Sequence, residues 1–172
     1  MMNPIVKSTF SPRGVTPELM EKRRGGHQKL SVVSAIVLTP KRRKADLMFQ
    51  ILPANENFTT ETILEFVREI VKRNPHGKTH VIWDRAQIHR GKAFRAYLSR
   101  SRRIQCHHFP PYSPELNPVE LVWSYVKWQD LANSVPKDID CLLADVSNSM
   151  VRVAGKNDML KNFVTHATKR PS

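Results

Sequence analysis

"FPPYSPELNPVELVW", residues 109 to 123, places four prolines and an asparagine ahead of an apolar run that carries one acid, Glu120. Asn117 suits a helix N-cap and Pro118 the first helical position, so a helix starts here. Val119, Val122, Trp123 and Val126 recur at helical spacing on one face, while Glu120, Ser124 and Lys127 form a polar stripe. The prolines restrict φ, which holds the helix start in place before any ligand arrives. An ordinary role is open to Glu120, since an acid three residues after the cap completes a capping-box-like arrangement. The chemical alternative is a carboxylate fixed in position to ligate a divalent metal.

The segment before this stretch supplies a second acid. "THVIWD" (79 to 84) reads as a short strand, a helix follows from about His89 to Arg100 with Ala93, Phe94, Tyr97 and Leu98 inward, and "RIQCHHF" (103 to 109) reads as another strand. That order makes a parallel βαβ unit. Asp84 ends its first strand, and in open α/β sheets ligands bind at the carboxyl ends of strands. Its ordinary role would be a cap or a turn, which Asp often serves. The helix and strand between the acids can bring Glu120 back beside Asp84. Around them run Arg85, Arg90, Lys92, Arg95, Arg100, Arg102 and Arg103. Such a run is commonly a solvated face, yet carboxylates beside phosphate-binding cations are what phosphodiester chemistry requires.

Further upstream, "LSVVSAIVL" (30 to 38) is nearly continuous and β-branched, as a strand covered on both faces would be. "TPKRRK" forms a basic turn, and "DLMFQIL" (46 to 52) returns to complete a hairpin. Thr59 or Thr60 caps a helix with Ile63, Phe66, Val67, Ile70 and Val71 on its apolar face. Spacings at Ile139, Leu142, Leu143 and Val146, and at Leu160, Phe163 and Val164, suggest two more helices. Residues 1 to 30, rich in Pro, Gly and charge, read as an extended segment.

The 172 residues suit one α/β domain, 31 to 172, behind that segment. A net charge of +13 points to a polyanionic partner, nucleic acid first. No apolar run approaches the roughly 18 residues of a membrane span, and the start lacks a secretory signal's apolar core. Cys106 and Cys141 form no CxxC pattern, which argues against a disulfide scaffold or zinc knuckle and for a reducing compartment. "CHH" (106 to 108) resembles a metal cluster, but neighbours on a strand point to opposite faces, so one core-facing and two partly exposed side chains are expected.

"VIWDRAQIH" with "FPPYSPELNPVELVWSYVK" resembles the second and third acidic motifs of DDE-superfamily transposases of the mariner-like and bacterial insertion-sequence type. "FSPRGVTPELMEKRRGGHQKLSVVSAIVL" resembles the segment after the first acidic motif, so the likeness covers most of residues 10 to 130. The resemblance implies a ribonuclease H-like fold of the retroviral integrase superfamily, a mixed sheet flanked by helices. It also implies two-metal cleavage and joining of DNA strands with Mg²⁺ or Mn²⁺. Asp84 would be the second acid and Glu120 the third, both holding metal. Transposon-end and target DNA would meet Lys41, Arg42, Arg43, Lys44, Arg85, His89, Arg90, Lys92, Arg95 and Lys127. The likeness further implies a bacterial cytoplasmic, nucleoid-associated protein that pairs with a second copy or with a full-length transposase.

One departure from the family pattern stands out. The family's first aspartate lies on the central strand upstream of a segment like "MNPIVKSTFSPRG", and Asp46, at the start of the hairpin's return strand, is a poor substitute. The expectation is therefore a carboxyl-terminal portion of a transposase that lacks its first central strand and leaves the metal site incomplete. The chain would be a degraded copy, a split-frame product or one with a wrongly assigned start, and inactive alone. A non-catalytic DNA-binding or transposase-pairing remnant is the alternative. A metal-dependent nuclease with an unrelated substrate is a third reading.

Overall fold

The β-branched run and its return strand form the expected hairpin: Val32–Leu38 (β1) pairs antiparallel with Ala45–Ile51 (β2), Val32 opposite Ile51 and Leu38 opposite Ala45. The computed structural model describes residues 29–169 apart from 87, 89, 90, 133 and 135. Most of the expected extended segment, 1 to 28, thus lies outside the described residues. The basic turn is a short 3-10 piece, Pro40–Arg42, with Lys41 at φ 62°. It is closed by Lys44 N–H donating to Thr39 Oγ1 at 2.8 Å.

Thr60–Arg73 (α1) starts at Thr59, whose hydroxyl accepts the Thr62 N–H while Thr62 Oγ1 accepts the Thr59 N–H. This reciprocal cap satisfies two backbone donors that a helix start leaves orphaned. The helix buries Ile63, Leu64, Phe66, Val67, Ile70 and Val71, one residue more than its expected face. The stripe is wide because it serves two neighbours. Phe66 and Ile70 pack with Met48 against Val33, Ala35 and Val37, and Leu64, Val67 and Val71 pack with Phe94 and Ile104.

The βαβ unit is present. Thr79–Trp83 (β3) pairs in parallel with Ile104–His108 (β4), and Lys92–Arg100 (α2) crosses between them. Phe94 is fully buried, with its ring 4.8 Å from that of Trp83. Two sequence expectations fail here. The helix starts at Lys92 rather than about His89, because Gly91 is its extended N-cap (φ −60°, ψ 155°). Ala93 is exposed rather than inward, and Phe94, Tyr97 and Leu98 carry the apolar contact.

Pro118–Tyr125 (α3), Ile139–Ala154 (α4) and Asn157–Thr168 (α5) cover the other face of the hairpin. Val122, Val126, Val146, Met150, Val153 and Leu160 pack there with Ala45 and Leu47. Between α3 and α4 the backbone widens into a π-helical turn, Val126–Asp130. Its end is pinned where Asp130 accepts the Ser149 hydroxyl and pairs with Arg152 at 3.2 Å. Both faces of β1 and β2 are therefore covered, as the unbroken β-branched run required.

The hydrogen-bonded strands form two separate two-stranded sheets, β1–β2 and β3–β4. Among the described residues no strand joins them. Helix α1 packs on both and holds them side by side.

Candidate active site

Between the two sheets lies a cavity of about 230 Å³. Val32, Val33, Ser34 and Ala35 of β1 form one wall, and Val81 and Trp83 of β3, with Asp84 just beyond, the other. Ile63, Phe66, Val67 and Ile70 of α1 form the floor. Asn117, Val119, Glu120 and Trp123, at the start of α3, close the remaining side. Asp84 and Glu120 thus face one cavity although a helix and a strand separate them in sequence. Ser34 Oγ is buried there with no hydrogen-bond partner among the described residues.

Asp84 is positioned by the strand pair. The ladder extends one step past β4, with Phe109 N–H donating to the Trp83 carbonyl at 2.9 Å, and His108 Nδ1 donates to the Asp84 carbonyl at 3.1 Å. Arg85 Nε reaches the Phe109 carbonyl at 3.4 Å. The backbone either side of the acid is thereby tied to β4. Its Oδ1 accepts the Ala86 N–H at 3.0 Å, so the turn role is real. That role leaves the exposed carboxylate facing the cavity.

Glu120 does not take the ordinary capping-box role that the sequence left open. Asn117 is the N-cap and its Oδ1 accepts the Val119 N–H at 3.2 Å, as the sequence indicated. A capping box would also need the Asn117 N–H to bond the Glu120 carboxylate. That N–H donates instead to the Pro114 carbonyl at 2.9 Å, within the 3-10 turn Pro114–Leu116. The proline-rich segment caps the helix with its own backbone, so the acid is released for other work. Among the described residues its carboxylate has no ion-pair or hydrogen-bond partner, and it is exposed at the cavity.

The cations divide into groups. Arg85 stands next to Asp84, and Lys92 and Arg95 are exposed on α2. Lys41, Arg43 and Lys44 are exposed at the hairpin tip. The cavity wall on β1 ends at Ala35, about 10 Å before Leu38 at 3.3 Å per residue, so these cations lie at the far end from the carboxylates. Arg42 belongs to that turn, but its side chain is outside the description, as are His89 and Arg90. Lys127 sits half-buried in the π turn with Nζ 6.0 Å from the centre of the Trp128 ring, off the helical stripe the sequence suggested. Asp46 pairs with Val37 on β2, behind β1, and cannot reach the cavity.

The "CHH" expectation holds. Cys106 packs on the core and burial pushes its thiol up from the ordinary value, which suits an inert core residue rather than a metal thiolate. His107 bonds His80 across the strands at 3.1 Å. Among the described residues no group of three or more His, Cys, Asp and Glu is placed to hold a metal. The donors in the cavity, two carboxylates, are the hard oxygen type that Mg²⁺ and Mn²⁺ prefer, but too few for two ions. Sequence reading missed Ser34 and Trp123 as cavity residues and the outward Tyr112. An aromatic between prolines was the available signal for the last.

A family model described as DDE superfamily endonuclease matches residues 3–142. The chain belongs to the DDE superfamily of endonucleases. No curated protein matches it in sequence. Solved structures that share its fold include three of Mos1 complexes. The Mos1 transposase paired-end complex with left transposon end matches at TM-score 0.55 and 15% identity, over 98% of this chain and 52% of that one. The Mos1 strand transfer complex matches at 0.54 and 13%, over 99% and 52%. The Mos1 mariner paired end complex with Mn matches at 0.53 and 14%, over 99% and 53%. The fold of this DDE-superfamily chain is ribonuclease H-like, and it spans about half the length of the Mos1 chains. Enzymes of the superfamily use divalent metals. No helix among the described residues is long and apolar enough to cross a membrane.

Proposed function

We propose that this chain is a catalytic-core portion of a mariner-like DDE transposase, built to cleave and join DNA strands, with Asp84 and Glu120 as metal-holding carboxylates. The shared cavity carries the reading: two acids from distant elements line one cavity between β1 and β3, strand edges that no other strand pairs among the described residues. An edge strand exposes a row of unpaired N–H and C=O groups. An extended segment between β1 and β3 would satisfy both rows and could bring a third carboxylate beside the other two. A chain lacking such a segment would bind DNA without cutting it.

Asp84 and Glu120 would hold Mg²⁺ or Mn²⁺, which supplies charge stabilisation at the phosphate and an activated nucleophile. The residues' own tasks are separable. Arg85, Lys92 and Arg95 attract the DNA backbone, the Phe109 and His108 contacts hold Asp84 at its strand end, and the Pro114 cap keeps Glu120 uncommitted. Among the described residues no third acid lines the cavity, which favours a second reading, a non-catalytic DNA-binding or transposase-pairing protein.

Titration with Mn²⁺, followed by electron paramagnetic resonance of the free ion, distinguishes the two. Weak binding that Asp84→Asn and Glu120→Gln each reduce supports the catalytic reading. Binding indifferent to both substitutions ends it. The catalytic reading and the DNA-binding form of the second both require salt-sensitive duplex binding, with a log–log slope of about −4 to −5 if roughly five phosphates are neutralised.

A further inference from the structure

Tyr112 stands out in the loop that joins β4 to α3, the helix that carries Glu120. Its side chain is fully exposed, at 101%, and its backbone is left-handed, φ 56°. Both features are unfavourable alone: a residue with a Cβ disfavours that φ, and a bare aromatic ring gains nothing from water. The backbone is held there nonetheless. Pro110 and Pro111 precede it, Ser113 Oγ donates to the Pro111 carbonyl at 3.2 Å, and Leu116 N–H donates to the Ser113 carbonyl at 3.2 Å. A fixed loop therefore presents a ring with both faces open.

The loop's position says what the ring meets. One end is joined to β3 through the Phe109–Trp83 bond, one residue from Asp84, and the other becomes the cap of the helix bearing Glu120. Arg85 lies against the loop's first carbonyl, where it can take a phosphate. In a chain of net charge +13, a flat apolar face beside a cation suits a nucleobase, since every base has a π-face to stack on an aromatic ring. We infer that Tyr112 is a base-stacking platform that receives an unpaired or flipped-out base beside the strand held at Asp84 and Glu120. This rests on the DNA reading above and names the part of the DNA that the loop recognises.

The test uses the 172-residue chain and two labelled duplexes of one sequence, one fully paired and one with a single unpaired 2-aminopurine. Wild type should bind the unpaired-base duplex more tightly and quench its 2-aminopurine. Tyr112→Asn keeps a left-handed backbone without the ring. It should lose the quenching and weaken binding to that duplex about fivefold to a hundredfold, with paired-duplex affinity held within about twofold. Tyr112→Trp should retain both signals. Wild type that binds both duplexes equally without quenching, or Tyr112→Asn behaving as wild type, overturns the stacking role while leaving DNA binding intact. Wild type that binds neither duplex overturns the DNA reading and this inference with it.

Discussion

Gly91→Ala tests the packing that sets the segment after Asp84. A methyl at residue 91 would lie 2.3 Å from Thr60 Cγ2, 2.6 Å from Oγ1 and 2.9 Å from Cβ. Thr60 opens α1, and its hydroxyl bonds the Ile88 carbonyl at 3.2 Å, so this contact docks the chain beyond β3 onto the helix. The backbone at Gly91, φ −60°, suits alanine, which leaves steric conflict as the cost. Overpacking costs about 1–3 kcal/mol. Losing the Thr60 bond adds about 0.5–1.5 kcal/mol. Reduced freedom of the unfolded chain returns about 0.4–1 kcal/mol. The net loss is about 2 kcal/mol, or roughly 1 M in the urea midpoint for a slope near 2 kcal/mol/M. In a Thr60→Ala background two of the three conflicting atoms are gone, so Gly91→Ala should cost about 1–2 kcal/mol less. Equal losses in both backgrounds, or a neutral Gly91→Ala, would refute the close approach.

Thr59→Ala removes a reciprocal cap and should cost about 1 kcal/mol, read as a lower thermal midpoint, with Thr59→Ser recovering most of it. Met150→Ala empties a fully buried position between the hairpin and α4 and should cost about 2–5 kcal/mol in urea unfolding. The Asp138 carboxylate is held below its ordinary range, chiefly by the Cys141 N–H at 2.8 Å. A lowered folded value means its contribution is present above the unfolded value, near about pH 4, and is lost as pH falls through the folded one. Asp138→Asn should therefore flatten the acid limb of the stability profile, and an unchanged limb would count against this assignment.

Much of the fold was legible because its signals are local. The apolar stripe of α1, the β-branched run of β1 and the Asn117–Pro118 helix start each follow from residues a few positions apart. Where distant groups compete, the sequence was silent. The capping alternative for Glu120 stayed open because nothing nearby shows that the Pro114 carbonyl takes the Asn117 N–H. The π turn was hidden because Val119, Val122 and Val126 keep a helical spacing up to its first residue. Ala93 looked inward because alanine satisfies an apolar pattern while adding little area to bury. The cavity itself depends on which strand edges face each other, and neither β1 nor β3 records that in its side-chain pattern. Both acids could be named from strand end and helix start, but that they line one cavity is a tertiary fact.

The most direct test is strand nicking of a labelled transposon-end duplex with Mg²⁺ or Mn²⁺. The 172-residue chain should bind without nicking. An amino-terminal extension encoding a β-strand with Asp should restore cleavage, the same extension with Asn should not, and Glu120→Gln should abolish whatever activity appears. Robust nicking by the unextended chain, lost in Glu120→Gln, would contradict this, because an acid already present would then be serving as the third carboxylate.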